Sequence, residues 1–189
     1  KLRLADQTGA TLWTAAVNEG ATAVRISPDE TMTVVSGADG HLQAFGRKGE
    51  RLWTFRMSAP ATSLGITEGN LTVACCNDNN IYIVGPGGAL VSKHWTERPG
   101  WRIGVSGDGE QIVVIFRDHN VYCYDRNLFL RWKFMGGIWN DVAISRDGDT
   151  IVAGSQGSEV AAFSRIGMVA WKARSDESVT QVAVSAGGE

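Results

Sequence analysis

Val142-Ala143-Ile144-Ser145-Arg146-Asp147-Gly148, then Ile151-Val152-Ala153-Gly154-Ser155, then Val160-Ala161-Ala162-Phe163, then Gly167-Met168-Val169-Ala170-Trp171 is one pass of a pattern that fills the 189-residue chain. Its opening phrase recurs as Val24-Arg25-Ile26-Ser27, Leu64-Gly65-Ile66-Thr67, Ile103-Gly104-Val105-Ser106 and Val182-Ala183-Val184-Ser185. The closing small residues stand 40, 39, 39 and 40 residues apart. A second marker keeps the same phase, a Gly four residues before a Trp at Gly9/Trp13, Gly49/Trp53 and Gly167/Trp171. Two copies depart from it: Leu128 stands before Trp132 without the Gly, and Gly88 stands before Ser92 without the Trp. A period held by two markers decides the architecture before any local motif is read.

Within the period the residues call for short strands. Pro28-Asp29-Glu30, Glu68-Gly69-Asn70, Gly107-Asp108-Gly109 and Arg146-Asp147-Gly148 are turn sequences, rich in residues that tolerate positive φ. Each is followed by a β-branched run, at Met32 to Ser36, Leu71 to Cys75, Ile112 to Phe116 and Ile151 to Ser155. No segment sustains apolar residues at helical spacing for three turns, and the 23 glycines oppose helices throughout. A sandwich has no reason to repeat its sequence, and solenoid coils are shorter. Four hairpin-linked strands in about 40 residues make a propeller blade.

The expected fold is therefore all-β, a β-propeller of about five four-stranded blades forming one domain. Its third and fourth strands of a blade lie at 1–17, full blades at 18–57, 58–97, 98–136 and 137–175, and a first strand at 176–189. Such a chain is either an arc of a larger ring or an incompletely closed one.

These phrases resemble the WD40-like and quinoprotein (PQQ)-like β-propeller repeats, over the whole chain. The Trp-Asp dipeptide and the Gly-His and Asp arrangement of a standard WD40 blade are missing, so that family's buried tetrad does not carry over. The Gly and Trp ending looks more like the quinoprotein docking motif, with Thr8-Gly9 through Trp13 the nearest match and Asp6 one residue too close to the Thr. The resemblance implies a propeller, and leaves the activity to be argued from the site.

Composition narrows the classes of function. A formal charge of −2 opposes general nucleic-acid binding, and the basic pairs Arg47/Lys48 and Arg131/Lys133 read as solvated strand edges. No apolar run reaches the roughly 18 residues of a membrane span. Cys75, Cys76 and Cys123 read as buried thiols, which leans toward a reducing compartment. The carboxylates Glu19, Glu97, Asp141, Asp176 and Glu177 fall near a channel mouth, but spacing pairs none of them. Asn77-Asp78-Asn79-Asn80 lacks the downstream Glu of a calcium loop and reads as a turn. No phosphate loop, nucleophile elbow or metal-ligand spacing is present, so no catalytic, cofactor or metal residue is assigned, and Arg25 is the isolated cation expected in the channel.

Departures from the repeat carry the functional reading. Trp95, Trp101 and Trp139 lie outside the repeat pattern, and Trp101 occupies the inner-strand position held elsewhere by Thr22, Thr62, Asn140 and Thr180. In phase, all three are expected on one sector of one face, with Arg98, Arg102 and Met135 close by. Trp, Arg and Met are enriched at protein interfaces. Trp95 has a second reading, as filler for the space left by Ser92. The expected function is a non-enzymatic scaffold that binds another protein or the subunits of a larger assembly. The alternative is a fragment of a quinoprotein-like enzyme, or of an assembly factor with that fold. A lectin-like propeller would need similar pockets in each blade, and the loops differ from blade to blade.

Overall fold

In the computed structural model, which describes residues 1–188, every regular element is a strand. A half-blade pairs β1 (Leu2–Ala5) with β2 (Thr11–Ala15). Blade I follows as β3 (Ala21–Ile26), β4 (Met32–Gly37), β5 (His41–Gly46) and β6 (Arg51–Arg56). Blade II is β7 (Ala61–Ile66), β8 (Thr72–Cys76), β9 (Asn80–Val84) and β10 (Leu90–Trp95). Blade III is β11 (Gly100–Val105), β12 (Ile112–Phe116), β13 (Val121–Tyr124) and β14 (Leu130–Phe134). Blade IV is β15 (Trp139–Ile144), β16 (Thr150–Ser155), β17 (Glu159–Ser164) and β18 (Val169–Arg174). All four blades are antiparallel meanders in strand order, the propeller pattern read from the period.

The closing Ser or Thr of each inner strand explains why the turn after it forms. Ser27 Oγ donates to Asp29 at 2.6 Å and accepts from Met32 N, and Ser106 and Ser145 repeat the arrangement with Asp108 and Asp147. These hydrogen bonds satisfy backbone donors that the hairpin leaves unpaired. Hydrogen bonds from the Ser27 hydroxyl and from Thr31 also hold the Asp29 carboxyl well below the usual carboxylate range.

Blades pack face to face, and the core is divided among their junctions. One buried cluster lies between the half-blade and blade I, and one lies at each of junctions I/II, II/III and III/IV. Fully buried side chains such as Leu42, Leu64, Ile81 and Ile112 each contribute about 1.5–3 kcal/mol of burial. The repeat Trp of one blade is pressed onto the repeat Gly of the next. A Cβ at Gly49 would stand 2.9 Å from the Trp13 ring, at Gly88 2.7 Å from Trp53 Cβ, and at Gly167 2.6 Å from the Trp132 ring. These glycines also sit at φ of +80°, +83° and +81°, so the position selects Gly for close approach and for backbone conformation.

Each inner strand bulges at one residue: Thr22, Thr62, Trp101 and Asn140 are skipped by the ladder. Freed from pairing, three of the four bulge side chains reach the next structural segment, while Thr22 Oγ1 donates to Ser36 O of its own blade at 3.2 Å. Thr62 Oγ1 donates to Gly100 O at 2.7 Å, Trp101 Nε1 to Asn140 O at 3.1 Å, and Asn140 Nδ2 to Val179 O at 3.1 Å. A second belt runs through the turns, from Glu68 N to Gly107 O, Gly107 N to Arg146 O and Arg146 N to Ala186 O.

The segment after Ser175 departs from expectation. A first strand was expected at 176–189, yet among the described residues this stretch forms none, and Glu189 lies outside them. It runs beside β15 and β16, where Val182 N is taken by the Asp141 carboxylate at 2.9 Å and Val179 N by Ser155 O at 2.9 Å. Strand pairing needs a neighbour in the sheet, and here those donors bond to the preceding blade instead.

Candidate functional site

The three tryptophans outside the repeat go to three different environments. Trp139 is 1% exposed and packs on Phe134 and Phe163, with ring centroids 5.9 and 6.1 Å away. Its backbone N–H bonds to His119 O, and its carbonyl meets His119 Nδ1 at 3.2 Å. The expected surface position of Trp139 is therefore corrected: it is core of junction III/IV. The reason is local. Trp139 takes the place of Ala61 and Gly100, the buried first residues of β7 and β11.

Trp101 is half-buried and fixed. Its indole lies 4.5 Å from the Arg102 guanidinium and 4.2 Å from that of Arg117, while its N–H belongs to the bulge belt. Arg102 stands 3.5 Å from the Asp141 carboxylate and donates to Trp101 O. It faces a polar channel of about 580 Å³ between the inner strands, together with Arg25, Thr22, Thr62 and Gln181. Met135 is exposed in the connection after blade III.

Trp95 is 64% exposed and does not fill the space at Ser92. It stands at the rim of a groove of about 460 Å³ at junction II/III, lined also by His94, Tyr124, Leu128, Phe129 and Leu130. Phe129 is 69% exposed and Leu130 is exposed beside it. Arg98 is pinned at the same rim by a 2.7 Å ion pair with Asp118. Asp118 also accepts from Tyr122 OH at 2.6 Å and from Asn120 N at 3.1 Å. Burial alone would raise the Asp118 carboxyl, but these hydrogen bonds outweigh it and hold the group below the usual carboxylate range. Burial pushes the Tyr124 phenol up to about 12, so it stays neutral at physiological pH. Lys133 covers the Tyr122 ring at 4.7 Å.

Of the six residues singled out in the sequence, Trp95 and Arg98 share this groove, Arg102 lines the channel with Trp101 stacked on it from the III/IV junction, Met135 is exposed, and Trp139 is buried. Phe129 and Leu130 were missed. Their signal was an apolar run, Leu128-Phe129-Leu130, in a turn where blade I carries Gly49-Glu50-Arg51.

Chemistry elsewhere is sparse. Burial pushes the Cys75 thiol up to about 11 and Cys123 to about 12, so neither is a thiolate nucleophile. Among the described residues no cluster of His, Cys, Asp and Glu has the arrangement of a metal site. Asn77 to Asn80 is a turn in which Asp78 accepts from Asn80 N and from Tyr82 OH. Among the described residues no helix is long and apolar enough to cross a membrane.

Residues 2–93 match the family model described as outer membrane protein assembly factor BamB. No curated protein matches the chain.

Proposed function

We propose that the chain, whose residues 2–93 match a PQQ-like propeller-repeat model, is a non-enzymatic platform that holds another protein, or subunits of a larger assembly. The observation that carries this reading is the groove at junction II/III, where Trp95, Phe129 and Leu130 are exposed side by side on rigid blade edges. Large aromatic side chains held in one conformation lose little entropy on binding and supply most interface energy. Arg98, already fixed by Asp118, gives the rim a polar anchor. The description of the matched family as an assembly factor supports a role in holding other proteins.

A photo-crosslinking residue at Trp95 tests this. Discrete protein adducts are expected from that position and none from a control at Leu52, on the outer strand of blade I. Equal adducts from both positions, or none from Trp95, would overturn it.

The alternative of a quinoprotein-like enzyme rests on the polar channel, where Arg25, Arg102 and Asp141 face one cavity. Under the platform reading, Arg102→Ala leaves the crosslink at residue 95 unchanged. Under the enzyme reading the channel is the site that matters, and the crosslink has no bearing on activity.

A further inference from the structure

At three junctions the indole of one blade is pressed onto the left-handed glycine of the next, as Trp13 on Gly49, Trp53 on Gly88 and Trp132 on Gly167. Two members of the same pattern have no such mate. Trp171, the repeat indole of blade IV, is 49% exposed, against 8% for Trp13 and Trp53. Gly9, the repeat glycine of the half-blade, holds the left-handed turn at φ +82°, yet a Cβ placed on it would meet nothing within 4 Å. The chain therefore carries, on two different blades, one knob and one socket of a junction that it builds three times.

The surroundings of both surfaces are those of an unfinished junction. In the closed ones the incoming indole also meets a ring of the later blade, Trp13 with Phe45 at 6.1 Å and Trp132 with Phe163 at 6.0 Å. Ala5 holds that position in the half-blade, because it pairs with Thr11 as Phe45 pairs with Arg51 and Phe163 with Val169. Ala5 is small and exposed, so the socket at Gly9 has room beside it. Arg3 donates to Gly9 O at 2.7 Å, which holds a guanidinium at the socket's rim. On the inner strand of blade I, Val24 and Ile26 are exposed, whereas their counterparts Leu64, Ile103 and Val142 are buried against the preceding blade. At the other end, the segment after Ser175 covers only the inner part of blade IV, with Val179 and Val182 over Gly154, and leaves Trp171 uncovered.

We propose that a second copy of this chain supplies the mate, with Trp171 of one molecule seated on Gly9 of another. Three observations favour that occupant. Knob and socket fit each other by the chain's own precedent, since the same residue types meet at three internal junctions. The Arg3 guanidinium at the socket is matched by an indole, the aromatic face that best attracts a cation. The two surfaces also stay apart within one molecule. Buried cores at the half-blade/I, I/II, II/III and III/IV junctions fix every blade between them, and close-packed cores do not deform to let the ends meet. Because knob and socket are different surfaces, the contact is heterologous and adds molecules head to tail. The proposal goes beyond the platform reading and makes no use of its groove.

Sedimentation of the 189-residue chain over a range of concentrations tests this, with two variants that each remove one half of the contact. Trp171→Ala deletes the knob and keeps the socket. Gly9→Asn keeps the knob and puts a side chain where the indole would press, and asparagine tolerates the left-handed turn. The wild-type mass is expected to rise with concentration, and each variant alone to associate at least tenfold more weakly with its native circular dichroism retained. An equimolar mixture of the two variants is expected to pair and to stop at the dimer, because only one knob and one socket remain. If Gly9→Asn does not fold, Ala5→Trp, at an exposed site, fills the socket in its place. A wild-type chain that stays monomeric, a variant that associates as the wild type does, or a mixture that fails to pair or grows beyond two copies would each overturn the proposal. A monomer in which Trp171 is shielded from a fluorescence quencher would place the contact inside one molecule and overturn the second copy as occupant. Loss of self-association with the residue-95 adducts intact would remove only this contact; self-association without those adducts would remove only the platform.

Discussion

Junctions I/II and II/III are built from the same strands in the same register, yet one is closed by Trp53 on Gly88 and the other by Leu128 beneath an open groove. Among the differences are Trp53 against Ser92, Gly88 against Leu128 and Phe55 against His94. Both turns hold a left-handed residue, at φ +83° for Gly88 and +63° for Leu128, so the backbone is alike at the two positions and the side chains differ. A junction that keeps its indole can still carry a groove, as the space of about 380 Å³ beside Trp132 at junction III/IV does. One that fills its floor with leucine stays folded and leaves aromatic surface free, which is how a repeat scaffold acquires a site without altering its frame.

The comparison breaks most severely where an indole is removed from a closed junction. Trp53→Ala is expected to cost about 3–5 kcal/mol by the loss of a buried aromatic and the cavity left behind, read by chemical denaturation. Trp139→Ala, at junction III/IV, belongs to the same class because its ring is buried. If either variant unfolds at the wild-type midpoint, the junction core assignment is wrong.

A smaller effect separates the two ways of filling a junction. Ser92→Trp alone forces an indole against the Leu128 side chain, and Leu128→Gly alone empties the floor, so each is expected to destabilise by about 1–3 kcal/mol. Together they reproduce the Trp53/Gly88 arrangement. A favourable coupling of about 1 kcal/mol or more is expected from the double-mutant cycle, and simple additivity would show that the two positions are independent.

The smallest change in stability is expected at the groove rim. Trp95→Ala should shift stability by less than about 0.5 kcal/mol, because the side chain is exposed and no core cluster includes it.

Acid provides a second axis, through the Ser-x-Asp turns of blades I and IV. Asp29 and Asp147 have folded pKa values below the ordinary 3.8, through the hydrogen bonds from Ser27 and Ser145. A depressed carboxyl contributes stability that is present above the unfolded value and lost as pH falls toward the folded one. Stability should therefore decline below about pH 4. Ser27→Ala and Ser145→Ala should flatten that decline, and an unchanged slope would remove these turns from the explanation.

The blade was legible because its signals are local. Ser-x-Asp turns, β-branched runs and the Gly and Trp marker each report on a few neighbouring residues, and the period multiplied them. The bulge at Trp101 was less accessible: the sequence aligned it with Thr62 and Asn140, but the ladder that skips these residues is a pairing between strands. Trp139 misled because it follows an inter-blade connection, where an aromatic residue reads as surface. Its alignment with Ala61 and Gly100, small residues under a blade, was the available clue. Phe129 and Leu130 give only the weak signal of a short apolar run at a turn. The groove itself is formed by two blades and has no sequence signature beyond the paired loss of Trp and Gly.

The central claim is that the site lies where the repeat is broken. It is tested most directly by photo-crosslinking from residue 95 in the Ser92→Trp/Leu128→Gly background, alongside its thermal melt. The account predicts a fold at least as stable as either single variant and loss of the partner adducts. A well-folded double variant that still gives full adduct yield would contradict it.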